Sequence, residues 1–199
     1  MSEPAIAGVG GYAPAGRLAA EAIADAWDGT GPRGVESVAV PAADEDALTM
    51  AWEAGRRALE VAAVDPADVA WLGLATTTPP LAEGDVVARL ASTLGVDPRT
   101  GQDLLTGSTC AGTRAVCRGL ETGPWPDGVG LAIAADAPEG HPADDRGRVA
   151  GAGAAAVVLG DDGPGRVGAQ GHEGATAPGV RFRRRGSTAV EGLGITTYD

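Results

Sequence analysis

The chain has 199 residues and a mass of 19.6 kDa, enough for one domain with a real core or two small ones. Asp plus Glu total 27 against 15 arginines and no lysine, a formal net charge of −12, which excludes bulk attraction to nucleic-acid phosphates. No apolar run approaches the about 18–20 residues of a membrane span, the N-terminus shows no basic-then-apolar signal sequence, and two cysteines make no disulfide framework, so a cytosolic protein is expected.

Pro4–Val9 is short and apolar and reads as a strand, after which Gly10, Gly11 and Pro14 turn the chain. Leu18, Ala22, Ile23, Ala26 and Trp27 fall at helical spacing and predict a helix over 17–27. Ser37–Val40 reads as a strand ended by Pro41. Asp44 is the expected N-cap of the strongest helix, with Leu48, Trp52, Gly55, Leu59 and Ala62 on one face and an end near Val64. A turn at 65–68 precedes a buried strand, Val69–Ala75, and a loop with two prolines runs from Thr76 to Gly84. Asp85 caps a short helix carrying Val86, Val87, Leu90 and Leu94, stopped by Gly95. Leu104-Leu105 ends another strand, a helix covers about Cys110–Leu120, and strands follow at Gly130–Ala135 and Ala152–Leu159. Strands alternating with helices, with long crossovers, predict an α/β fold: a mostly parallel mixed sheet with helices on both faces. Aromatics make up only 4% of the chain, and alanine and glycine abound, so the core must come from small residues in tight helix–strand contact. The acid excess without lysine suggests a salt-loving host, whose proteins hold water with dense surface carboxylates, or a high-GC coding bias.

The most informative segment is Thr106-Gly107-Ser108-Thr109-Cys110-Ala111-Gly112-Thr113. A loop of small residues delivers Cys110 to the start of a helix, where free N–H groups and the helix dipole favour a nucleophilic sulfur. Ala111, Gly112 and Thr113 leave room for a bulky acyl donor. Read alone, a cysteine after a strand is more often a small buried hydrophobe than a nucleophile. Cys117, two turns further on, reads as core, since two cysteines there lack two further metal ligands.

At this cysteine the sequence resembles the thiolase-like condensing enzymes, closest to the hydroxymethylglutaryl-CoA synthases and their ketoacyl synthase III relatives. The segments 8–14, 41–51, 58–69, 103–113, 134–140 and 151–160 resemble that family's first half in order and spacing. The resemblance implies a thiolase-like N-terminal lobe over 1–165 and a connector over 166–199 leading toward a C-terminal lobe. It implies a homodimer or a split-enzyme partner, and an associated OB-fold/zinc-ribbon protein. It also implies that Cys110 takes an acyl group from a coenzyme A thioester, a substrate rather than a bound cofactor, and passes it to a carbanion. The Cys110 N–H is the expected oxyanion donor. No metal and no bound cofactor are expected.

Three departures mark this chain. Neither His141 nor His172 sits in a segment like that of the family's catalytic histidine, and both read as surface residues. The register places Thr77 where the synthases carry a glutamate general base, and a threonine cannot take a proton as a carboxylate can; Glu83 lies in the same loop and reads as surface. Arg183 and Arg184, in the Arg181–Arg185 stretch, suit a clamp on the coenzyme A phosphates, and a hinge role competes evenly. Gly8-Val9-Gly10-Gly11 lacks the spacing of a dinucleotide fingerprint. The second reading of the whole is a non-catalytic thiolase-like subunit that keeps the fold to bind a partner or coenzyme A.

Overall fold

The structure is a computed structural model that describes residues 3–26, 34–81, 83–138, 150–169, 171, 180–182 and 191–193. The chain divides into two units, Met1–Gly168 and Ala169–Asp199. In the second, β9 (Val180–Phe182) pairs antiparallel with β10 (Glu191–Leu193).

The first unit is built on a six-stranded sheet in the order β5-β4-β6-β7-β1-β8. Its strands are β1 (Ala5–Tyr12), β4 (Val69–Ala75), β5 (Gly101–Leu105), β6 (Val129–Asp136), β7 (Gly153–Gly160) and β8 (Gly165–Arg166). β4 pairs parallel with β5 and β6, while β7 runs antiparallel to both β6 and β1, and β8 antiparallel to β1. β1, β4, β5 and β6 therefore point one way, and their carboxyl ends share one edge of the sheet.

One face is covered by α2 (Ala47–Ala62) and α3 (Val86–Leu94). Leu72, Leu74, Leu131, Ile133 and Val158 project from the strands into one cluster with Ala51, Ala54, Ala58, Val87 and Leu90 of the helices. The alternate strand positions face the other way, where α4 (Ala111–Thr122) packs against Trp71, Ala75 and Ala132. Covering both faces explains why β4 reads as a continuous apolar run rather than an alternating one.

Four expectations need correction. Gly10 and Gly11 do not turn the chain: β1 runs on to Tyr12, with Gly10 paired to Ala156 and Gly11 to Ala155. The segment 17–27 is not one helix: β2 (Gly16–Ala19) pairs with β3 (Ser37–Val40), and α1 covers only Ala20–Ala26. Pairing with β3 supplies the backbone partners of Gly16–Ala19 and overrides the helical spacing of Leu18 and Ala22. The N-cap of α2 is Asp46, not Asp44: its Oδ1 accepts the Thr49 N–H at 2.8 Å, and the Asp46 N–H donates to Thr49 Oγ1 at 2.8 Å. Residues 42–45 form a turn instead, with the Ala42 N–H donating to Glu45 Oε2 at 2.7 Å.

The buried stripe of α2 is also one residue off the expected face. Its centre is Ala47, Ala51, Ala54 and Ala58, while Trp52 stands 37% exposed at the flank. The cause lies in β1. A methyl group at Gly10 would sit 2.2 Å from the Ala54 carbonyl oxygen, and one at Gly8 would sit 2.5 Å from that of Ala58. Strand and helix backbones approach so closely that only glycine facing alanine fits.

Candidate functional site

β5 ends at Leu105, and residues 106–110 carry the chain over the sheet edge to α4. Gly107 has φ +78°, a left-handed turn that glycine adopts without cost. Cys110 follows at the N-cap position of α4, with φ −89° and ψ 6°, and is exposed. The helix then runs back down the sheet: a methyl at Gly112 would meet Ala134 Cβ at 3.2 Å, whereas Gly119 faces Trp71 and Leu159 at the opposite end. Ala111, Ala115 and Gly119 form its buried stripe. Cys110 is thus held above the carboxyl ends of the parallel strands, the edge at which open α/β sheets place their ligands.

The Cys110 N–H is not open toward an incoming oxygen. It donates to Ser108 Oγ at 3.1 Å, which corrects the expectation of a free oxyanion donor. Cys117 is half-buried and belongs to neither apolar cluster, so it is less a core residue than its spacing suggested. Gly112 packs over Ala134, and Thr113 is exposed on the outer side of the first turn. Arg183, Arg184, His141 and His172 lie outside the described residues. Glu83 is exposed.

Thr77 does reach the site, and it has company. Thr76, Thr77 and Thr78 leave β4 at the same edge, with the Thr76 N–H donating to the Leu105 carbonyl at 3.0 Å. All three converge on one oxygen of Asp136, the last residue of β6. Asp136 Oδ1 accepts from Thr76 Oγ1 at 3.2 Å, Thr77 Oγ1 at 3.0 Å, Thr78 Oγ1 at 3.2 Å and the Thr77 N–H at 2.6 Å. Thr76 Oγ1 in turn accepts the Thr78 N–H at 3.0 Å, and Thr78 Oγ1 accepts the Ala137 N–H at 2.8 Å. Thr76 is only 1% exposed, and its hydroxyl is fully engaged.

Asp136 lies on the α4 face. Ala132 and Ala134 line that face beneath α4, and the period of two puts Asp136 on it ~7 Å beyond Ala134. Since Gly112 covers Ala134 and Cys110 lies one half-turn above, the sulfur-bearing loop and the carboxylate occupy the same corner. Sequence reasoning missed Asp136, Thr76, Thr78 and Ser108. A signal for Asp136 exists: it is a single acid ending an otherwise apolar strand, Leu131–Ala135, at the sheet edge where sites form.

Among the described residues, no group of three or more His, Cys, Asp or Glu could hold a metal ion, and no helix is long and apolar enough to cross a membrane.

No protein-family model matches the chain. The chain is similar to the hydroxymethylglutaryl-CoA synthase of Pyrococcus furiosus, 33% identical over 162 residues that cover 81% of this chain and 46% of that protein. It is similar to the same-named protein of Methanopyrus kandleri, 34% identical over 162 residues, 78% of this chain and 46% of the relative. Among solved structures, the priming β-ketosynthase of the R1128 polyketide biosynthetic pathway superposes with a TM-score of 0.73 at 24% identity, covering 83% of this chain and 51% of that one. The chain spans about half the length of the curated relatives it matches. The shared fold is thiolase-like.

Proposed function

On the premise that this chain carries a thiolase-like lobe similar to the N-terminal region of hydroxymethylglutaryl-CoA synthases, we propose that it is the nucleophile-bearing lobe of an acyl-CoA condensing enzyme. Cys110 takes the acyl group of a coenzyme A thioester: the sulfur attacks the carbonyl, coenzyme A leaves as the thiol, and an acyl-cysteine remains. A carbanion from a second thioester then attacks the acyl carbon and releases Cys110. The observation that carries the reading is the exposed Cys110 at the head of α4, above the carboxyl edge of the sheet.

In this reading Ser108 also has a part. In the resting chain its hydroxyl occupies the Cys110 N–H. Turning Ser108 Oγ away loses one hydrogen bond of about 1 kcal/mol, which the developing oxyanion regains at the same N–H more strongly, because charge-assisted bonds are about twice as strong. Arg183 and Arg184 remain the proposed contacts for the coenzyme A phosphates. The lobe works in the cytoplasm, completed by a second lobe or a split-enzyme partner, and dimerises. Dimerisation finds support in β5, which among the described residues forms an edge of the sheet with Leu104 42% exposed; an edge strand with an exposed apolar residue is a ready pairing surface. The OB-fold/zinc-ribbon partner has no such support and is not carried forward.

A second reading, a non-catalytic subunit of the same fold, is favoured by Thr77, which is no carboxylate. Incubation with acetyl-CoA separates the two. The condensing-enzyme reading predicts release of free coenzyme A thiol and an acetyl adduct in the intact mass, both lost in Cys110→Ala. A folded wild-type chain that releases no thiol and gains no mass would support the binding subunit instead.

A further inference from the structure

Resting on the acyl-cysteine reading, we propose that Arg114 selects the acyl donor, holding the free carboxylate of a dicarboxylic acyl group while the other end passes to Cys110. The Arg114 N–H donates to the Cys110 carbonyl at 3.0 Å, so the arginine stands one helical turn below the cysteine on the same flank of α4. Cβ atoms at that spacing lie about 5–6 Å apart, and helical side chains lean back toward the N-terminus. A long side chain at 114 therefore reaches the turn that carries the sulfur. Both residues are exposed.

Its charge is left unpaired. Arg56 and Arg57 bond Glu53, Arg99 bonds Asp97, and Arg166 bonds Asp162. Arg118, one turn further down the same flank, bonds Asp103 at 3.2 Å and lies 3.8 Å from Glu121. Arg114 has no such partner among the described residues. Arg89 shares that condition but lies on α3, on the other face of the sheet. Nothing on α4 offsets the charge at 114. Its other neighbours at three- and four-residue spacing are Ala111, Cys117 and Arg118, and like charges at that spacing destabilise a helix slightly. Arg114 also ends the opening turn of α4, where the helix dipole is positive and disfavours a cation, and that turn holds no acid. A chain of net charge −12 thus keeps a positive spot beside its exposed nucleophile, against both its composition and the helix dipole, and local conflicts of this kind collect at functional sites.

Distance decides which anion fits. The phosphates of coenzyme A sit at the far end of the pantetheine arm from the thioester, out of reach of a side chain one turn from the sulfur. A carboxylate ending a short acyl chain, as in a succinyl group, lies within reach, and the planar guanidinium fork bonds both of its oxygens. The transfer itself is balanced without further reactants. The Cys110 thiol gives its proton to solvent, and its sulfur bonds the acyl carbon. The bond from that carbon to the coenzyme A sulfur breaks, and coenzyme A leaves as a thiolate that solvent protonates. The distal carboxylate stays ionised throughout. Holding it at Arg114 fixes the acyl group at both ends and orients its carbonyl over the sulfur.

The test compares two donors on the full chain: succinyl-CoA, and butanoyl-CoA as a neutral donor of similar length. Intact mass follows the rate at which each acylates Cys110, and adduct that persists in Cys110→Ala is subtracted, because succinyl-CoA also modifies proteins without catalysis. Wild type is expected to take the succinyl group ~10-fold faster or more, the scale of one charge-assisted pair. Arg114→Gln removes the charge and keeps a good helix former. It is expected to bring the two rates together and to melt as wild type does, since the side chain is exposed and unpaired. Arg114→Lys keeps the charge without the fork and is expected to retain part of the preference. Equal rates for the two donors in wild type overturn the proposal, and so does a preference that survives in Arg114→Gln; both leave Cys110 acylation standing. Arg114→Gln that slows both donors alike, with their ratio kept, makes the arginine a contact for coenzyme A or a support of α4 and overturns it too. A folded wild-type chain that takes neither acyl group ends the acyl-cysteine reading and this inference with it.

Discussion

The two faces of the central sheet are built on different terms. The α2/α3 face is sealed by leucine, isoleucine and valine, with Leu72, Leu90, Leu131 and Val158 fully buried, and both of its helices have aspartate N-caps. The α4 face meets its helix through Ala111, Ala115 and Gly119. Toward β1 no described helix covers that face: Val9, whose neighbours Gly8 and Gly10 point at α2, is 57% exposed. α4 has no side-chain cap, because its N-cap residue is Cys110. One face carries the stability, and the other carries the sulfur, the carboxylate and uncovered apolar surface.

The sharpest way to break that contrast is on the sealed face. Gly10→Val would press a side chain into the Ala54 carbonyl oxygen and the Ala58 N–H, at 2.2 and 2.5 Å from the first carbon alone. Backbone cannot yield as a side-chain end can, so a loss above ~3 kcal/mol is expected, read by chemical denaturation. A variant as stable as wild type would mean that β1 and α2 are not closely apposed.

On the open face the same kind of change should cost less. A methyl at Gly119 would meet Leu159 Cδ1 at 2.7 Å and the Trp71 ring at 2.8 Å, both side chains. Gly119→Ala is expected to lose about 1–3 kcal/mol and to slow Cys110 acylation, because α4 carries the cysteine. An unchanged acylation rate would show that the head of α4 is set by the 106–110 loop and not by helix packing.

The smallest expected effect sharpens the comparison through pH. Tyr12 donates to Glu45, whose carboxyl is held below its ordinary 4.5, first by the Ala42 N–H and then by the phenol. The Tyr12 phenol is pushed above 10.0, chiefly by that hydrogen bond. A lowered carboxyl contributes stability above its unfolded pKa and loses it as pH falls through the folded one. A raised phenol contributes below 10.0 and loses it as pH rises through its folded value. Glu45→Gln should therefore flatten the acid limb of the stability curve slightly and leave the neutral Cys110 chemistry unchanged. An acid limb as steep as wild type would place the acid sensitivity in other carboxylates.

The sealed face was the more legible one in the sequence. α3 announces itself by Asp85, its apolar spacing and Gly95, and β4 by an apolar run of strand length, because local chemistry and tertiary packing agree there. α2 was found but rotated by one residue, since large side chains mark a helical face by hydrophobicity while here close backbone approach selects alanine. β2 was misread because a short strand with one partner leaves no periodicity of its own. At the site, Cys110 and Thr77 were legible from the small-residue loop and the family likeness. Asp136 was not, because its threonine partners lie about 60 residues away in sequence, and only the parallel pairing of β4 with β6 brings them together.

Peptide mapping after acetyl-CoA treatment locates the acyl group, since the chain has two cysteines, Cys110 capping α4 and Cys117 within it. The acetyl group is expected on Cys110, at the exposed head of α4, with Cys117 unmodified. Acetylation of Cys117 with Cys110 left free would contradict it.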